Sequence, residues 1–300
     1  MRQTLISFEL LGDFGVFKKP DVNEGLQVTY NLLHKPALLG ILGAIAGLEG
    51  YQQRGVWPEY LEKLRHLRVG LEPINLEAEL AKGIVRQDKG NFVKTVLTYT
   101  NTVGYANVDG NLIVTEQTLR RPAYRCYLLL DLDDEVQARL HDRIRLGEAE
   151  YLPYFGKNEC AAWWERESVL GYEFEEFVAT GDYQVNSIFV REGSVRSQRV
   201  RKPRVSFALR QADNTPTFAY FERLPAGFFV GDVAAKSQPP DLFSDAAKEP
   251  ARKSASLRFV QYDLEEFVFT NWTLRKDSIV DDLFQIKPTD GSPQRIIQLF

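Results

Sequence analysis

Metal-independent cleavage of an RNA strand needs a general base and a general acid beside a 2′-hydroxyl, and histidine is the side chain best suited to both roles near neutral pH. The 300-residue chain has three histidines, His34, His66 and His141. His66 and His141 fall in charged stretches that read as helix surfaces. His34, with Tyr30 and Lys35 beside it, is the one grouping that could imitate an active site, and no second acid or base accompanies it. The two cysteines, Cys126 and Cys160, are too few for a four-ligand zinc site and read as buried thiols. No Gly-x-Ser-x-Gly elbow and no Walker loop occurs. The expectation is a protein with no catalytic residue, no metal and no cofactor.

Binding chemistry is better represented. Phosphate is held by Lys and Arg, and unstacked bases are held by aromatic rings. Lys18 and Lys19 follow two aromatics and precede a proline. Arg86, Lys89 and Lys94 share a Val/Thr/Tyr-rich stretch with Tyr99 and Tyr105, so that one segment carries both cations and rings. Arg120 and Arg121 form a pair able to clamp a phosphate. Arg196, Arg199, Arg201, Lys202 and Arg204 make the densest basic run. Each cluster has a plainer reading as a solvated charged face. The net charge of −4 argues mildly against a nucleic-acid binder, but its distribution is uneven. Residues 157–182 carry two basic and seven acidic side chains, whereas residues 183–204 carry six basic and one acidic. Neighbouring segments of opposite sign suit separate faces for separate partners.

The elements that must position these groups follow from periodicity. Thr4, Ile6, Phe8 and Leu10 alternate with Leu5, Ser7, Glu9 and Leu11, which predicts a strand with one clearly apolar face. Residues 36–48 read as a buried helix opened by Pro36. Gly40, Gly43 and Gly47 lie along one side of it, which suggests close backbone approach. Residues 58–67 give a short amphipathic helix, 67–71 a strand, and 83–118 an extended hairpin with turn signals at Lys89-Gly90-Asn91 and Asp109-Gly110. A buried strand (124–131) and a helix capped by Asp133 or Asp134 come next. That order fits a β-α-β-β-α-β unit carrying an insertion. Short strands are expected at 207–209, 217–223, 227–233, 257–262 and 267–273, and a mobile Pro/Ala/Ser/Lys-rich loop at 236–256. With 44% hydrophobic residues the chain can bury a real core. The longest apolar stretch is too short for a bilayer, so a soluble, cytoplasmic protein with no membrane partner is expected.

Two stretches carry a resemblance. The strand Ile6-Ser7-Phe8-Glu9-Leu10 leads through Gly12-Asp13-Phe14-Gly15-Val16-Phe17-Lys18-Lys19-Pro20 and Thr29-Tyr30 to the glycine-rich helix. That succession is similar to the N-terminal signature of the Cas-five family of CRISPR-associated proteins, in the RAMP superfamily, and most like its subtype I-B members. Tyr151-Leu152-Pro153-Tyr154-Phe155-Gly156-Lys157-Asn158-Glu159-Cys160 resembles a second segment of that family, with departures at Phe155, Lys157 and Asn158. The resemblance spans residues 4–175. It implies an α+β fold with an RNA-recognition-motif or ferredoxin-like core at 1–182 and a thumb hairpin at 83–118, to which the strand pattern beyond Asp182 adds a β-rich C-terminal extension at 183–300. It further implies a non-catalytic Cascade subunit that caps the 5′ handle of the guide RNA. Its partners would be a Cas-seven-like backbone subunit, a Cas-eight-like large subunit and, through the complex, target DNA. The alternatives are an endoribonuclease that matures the guide precursor, as a subtype I-C relative does, and a scaffold that touches protein only.

Overall fold

The computed structural model describes residues 2–20, 25–52, 56–100, 113–192, 217–233, 257–278 and 280–300. It is a mixed α+β structure in which strand outweighs helix. The first half contains β1 (Gln3–Gly12), α1 (Lys35–Ala46), α2 (Glu59–Leu64), β2 (Arg68–Pro73), an arm made of β3 (Lys94–Thr100) and β4 (Ile113–Arg120), and β5 (Ala123–Asp131). Then come α3 (Glu135–Leu146), β6 (Leu170–Glu176), β7 (Phe189–Glu192), the long strands β8 (Ala219–Val233) and β9 (Leu257–Thr270), β10 (Leu283–Pro288) and β11 (Arg295–Gln298). The principal sheet runs β11-β10-β6-β1-β5-β2 with every neighbouring pair antiparallel.

The alternation read in β1 is real on the helix side, where Ile6, Phe8 and Leu10 join Leu38, Leu42 and Ile45 of α1 and Leu140 and Ile144 of α3 in the main core. The reverse face is buried too. Leu5, Tyr127, Leu129 and Tyr172 pack with Phe284 and Ile286 of β10 and Ile297 of β11. Local periodicity cannot anticipate this, because the covering strands come from the far end of the sequence. The two edges of the sheet are drawn together where Val69 and Phe300 exchange both backbone hydrogen bonds, at 3.2 and 3.0 Å. Gly70 lies under that closure, since a Cβ there would stand 2.8 Å from the Gln298 carbonyl oxygen. Glu72 crosses the same face, accepting from Tyr127 Oη at 2.8 Å and pairing with Arg295 at 2.6 Å.

Helix α1 begins at His34, whose Nδ1 accepts the Ala37 N–H at 3.2 Å, with Pro36 in the first turn where its missing N–H costs nothing. Of its three glycines, Gly43 is the point of close approach, where a Cβ would come within 2.4 Å of the Tyr60 side chain. Gly47 instead ends the helix in the left-handed conformation, φ 74°. Asp134 caps α3 by accepting the Val136 and Gln137 N–H groups.

The hairpin expected at 83–118 divides in two. Residues 87–92 fold down as a tight ribbon whose turn residues Lys89 and Gly90 both have positive φ, 54° and 85°, as the primed hairpin turns require. The arm proper starts at Lys94; Tyr105 and Asp109-Gly110 lie outside the described residues. The four short strands expected between 217 and 273 are two long ones. Pro225 is accommodated at a bulge between Pro225 and Gly227, which lets β8 continue past a residue that cannot donate to the ladder. The stretches 207–209 and 236–256 also lie outside the described residues. Among the described residues no helix is long and apolar enough to cross a membrane.

Candidate nucleic-acid interface

Segments 12–20 and 151–160, far apart in the chain, are packed against each other around the fully buried ring of Phe155. The Val16 N–H donates to the Phe155 carbonyl at 3.0 Å, and the Phe155 N–H donates to Cys160 O at 2.8 Å, closing the second segment into a loop. Two glycines make the fit possible. A Cβ on Gly12 would stand 2.6 Å from the Phe155 ring, and one on Gly156 (φ 81°) would stand 1.8 Å from Val16 O. Phe17 and Tyr124 meet the Phe155 ring edge-on at 5.8 and 5.9 Å.

This packing forms one wall of a groove of about 770 Å³. Its floor is α1, where Ala37, Gly40 and Ala44 recur on one side and present little side chain. The opposite wall is Phe228 of β8 and Tyr262 of β9, while Tyr51, Tyr60, Tyr151 and Tyr154 line the rest. Burial raises the Tyr60 and Tyr262 phenols above their ordinary pKa, so both are neutral in the physiological range. His34 lies at the base, edge-on to Phe17, Tyr30 and Tyr262, and burial lowers its pKa to about 3. Its ring is therefore neutral, with Nδ1 committed to capping α1. The charges are Lys18, Lys157 and Glu116. Lys157 Nζ donates to both Glu116 oxygens at 2.8 and 3.0 Å, reaches Glu159 at 3.0 Å and stands 4.8 Å above the Tyr99 ring. Burial pulls the Lys157 pKa down, but the two carboxylates outweigh it and hold the ammonium above its usual value. The groove can stack planar groups on neutral rings and contact an anion at its lysines.

The cations singled out in the sequence that lie among the described residues fall into three groups. Lys19 and Lys94 converge near Asn31: Lys19 pairs with Glu222 at 3.2 Å and stands over the Tyr30 ring, and Lys94 Nζ donates to Asn31 Oδ1 at 2.7 Å. Arg86 and Arg121 converge on Glu79, with Arg86 buried, donating to that carboxylate through Nε and Nη2 and to Arg121 O through Nη1. Arg86 first and Arg121 with it hold the Glu79 carboxyl below the usual range. Lys18 lines the groove, while Lys89 and Arg120 are exposed, the latter at the end of β4. Arg196, Arg199, Arg201, Lys202 and Arg204 lie outside the described residues. Sequence reasoning missed Tyr51, Tyr60, Phe228 and Tyr262 as groove residues and Glu222 as an anchor, because each meets the site from a distant element. Tyr151 and Tyr154 belong to segment 151–160. Among the described residues no group of three or more His, Cys, Asp or Glu is placed to hold a metal ion.

No family model and no curated protein matches the chain. Solved structures share parts of its trace. A functionally uncharacterized protein, SMU1763c, from Streptococcus mutans is similar at 16% identity and a TM-score of 0.27, over 55% of this chain and 66% of that one. A chain of a CRISPR RNA-guided surveillance complex is similar at 11% identity and a TM-score of 0.41, over 90% and 91% of the two chains. A CRISPR protein from Archaeoglobus fulgidus is similar at 9% identity and a TM-score of 0.42, over 98% and 99%.

Proposed function

We propose that the chain is a non-catalytic RNA-binding subunit of a type I CRISPR surveillance complex, seating the 5′ handle of the guide RNA and joining Cas-seven-like backbone subunits to a Cas-eight-like large subunit. The observation that carries this reading is the meeting of segments 12–20 and 151–160, the two stretches that resemble the Cas-five family, around Phe155 at the wall of a groove of tyrosines and lysines. The strand order β6-β1-β5-β2, with α1 and α3 as crossovers, supports a ferredoxin-like or RNA-recognition-motif-like core, and the projecting β3–β4 supports a thumb. Stacking of unpaired bases on aromatic rings is worth about 1–3 kcal/mol per base, enough for the groove to order a short single strand. The non-catalytic part of the reading is supported by His34, which is neutral, buried and occupied as a helix cap. Sequence choice in the target would come from guide pairing.

The test is co-expression with a repeat-spacer RNA and the partner subunits. The full chain is expected to recover RNAs that share one 5′ end. Replacing residues 98–114 by a short Gly-Ser link is expected to abolish that recovery while the melting temperature stays near that of the parent. Normal assembly without the arm would remove the thumb. A complex without RNA would favour the protein-only scaffold. A defined cut in the repeat that vanishes on His34→Ala would put a processing nuclease in its place.

A further inference from the structure

Glu222 is a buried, multiply bonded carboxylate that the groove does not use. It sits on β8, 8% exposed, and reaches back across the molecule to the loop before α1. Its oxygens accept the Asn31 N–H at 3.0 and 3.1 Å and the Leu32 N–H at 2.9 Å, and Lys19 Nζ lies 3.2 Å away. Successive backbone N–H groups turned to one point make an anion-binding concavity. This one is rigid. Asn31 Oδ1 accepts from the Phe92 N–H at 2.9 Å and from Lys94 Nζ, and Asn31 O accepts from Tyr124 Oη at 2.7 Å. Burial lowers the pKa of Lys94, Glu222 opposes that shift and Lys19 adds to it, so the three groups share one field. Two amides and the Lys19 ammonium contact one anion, with Lys94 held beside them on Asn31 Oδ1, a set that suits a phosphate as well as a carboxylate.

We propose that the Asn31 and Leu32 amides, flanked by Lys19 and Lys94, form a phosphate-binding nest that Glu222 occupies in cis. Phosphate enters when β8 yields that position. This deepens the RNA reading for the two lysines, and the source of the phosphate, free anion or RNA backbone, is separated by the test. Glu222→Ala is melted in inorganic phosphate against chloride at equal ionic strength. The expected result is a lowered melting temperature that rises saturably with phosphate, a flat response in the parent, and loss of the rise when Lys19→Ala is added. No phosphate-specific rise overturns the nest. If the alanine variant folds poorly, Glu222→Ser is prepared in both salts, and folding only in phosphate supports the nest as well. The second arm measures binding of a handle RNA to Glu222→Gln, which keeps the fold but frees Lys19. Affinity is expected to rise about tenfold, with the slope of log affinity against log salt steeper by about one. Unchanged or weaker binding overturns competition with RNA. A parent that binds no RNA, beside an alanine variant that takes up phosphate, would sink the RNA reading and leave the nest standing.

Discussion

Two antiparallel strand pairs, β8–β9 and β3–β4, are treated differently by the body of the molecule. The β8–β9 ribbon is laid down: Leu224 and Phe267 enter the main core, Phe267 packs on Phe300 at 4.9 Å between ring centres, and Glu222 fastens the strand to the loop before α1. The β3–β4 arm leaves Val96 54%, Tyr99 42% and Ile113 63% exposed, and its base is held by the pairing of β4 with residues 14–15 and 26–27 and by that of Lys157 with Glu116. An isolated two-stranded hairpin is marginally stable in water. The ribbon finds its missing surface in cis on α1. The arm has none of comparable extent among the described residues, and apolar side chains left on such an element are available to a partner.

The contrast is easiest to break at Phe267. Phe267→Ala should cost about 3–5 kcal/mol in denaturant unfolding, as for a large side chain removed from a packed core. A loss below about 1 kcal/mol would mean that the ribbon is merely draped over the surface. An effect smaller per pH unit reports the same cover, because Tyr262 of β9 meets His34 edge-on. The unfolded chain takes up a proton near pH 6.5 that the folded chain refuses until about pH 3. The sign is therefore fixed: the unfolded state binds more protons in that window, and stability falls as pH drops through it, by up to about 1.4 kcal/mol per unit. His34→Asn, which can still cap the helix, should flatten that slope in urea midpoints measured from pH 7 to 4. An unaltered slope would show that the ribbon leaves His34 open to water. The smallest effect belongs to the arm. Tyr99→Ala should change stability by no more than about 1 kcal/mol, the worth of one exposed ring beside Lys157. A larger loss would make the arm part of the core and erase the contrast.

What could be read in the sequence and what could not divide along the same line. Strand β1, the start of α1 at His34 and Pro36, the Asp134 cap and the Lys89-Gly90 turn are local events, decided by alternation, capping oxygens and positive φ within a few residues. The burial of both faces of β1, the commitment of Lys19 to Glu222, and the joining of Tyr60, Phe228 and Tyr262 in one groove depend on elements dozens to hundreds of residues away. A basic residue looks the same in a sequence whether its partner is a phosphate or a buried glutamate. For Arg86, Lys19 and Lys94 the partner in the folded chain comes from within it.

The order of strands in the principal sheet also sets a timetable. β1 pairs with β6 through Leu5 and Tyr172, and β6 pairs in turn with β10 through Tyr172 and Pro288. Each step closes a loop of more than a hundred residues, and such closures must be made before their contacts repay them. A nascent chain holding β1, β2 and β5 can form its helix-backed half early, with α1 and α3 already in reach. Until β10 arrives, β6 is an open edge and the face bearing Leu5, Tyr127 and Tyr172 is bare. That interval is the window in which the growing chain is most exposed to sticking to its neighbours, and its length is set by topology rather than by how stable the finished protein becomes.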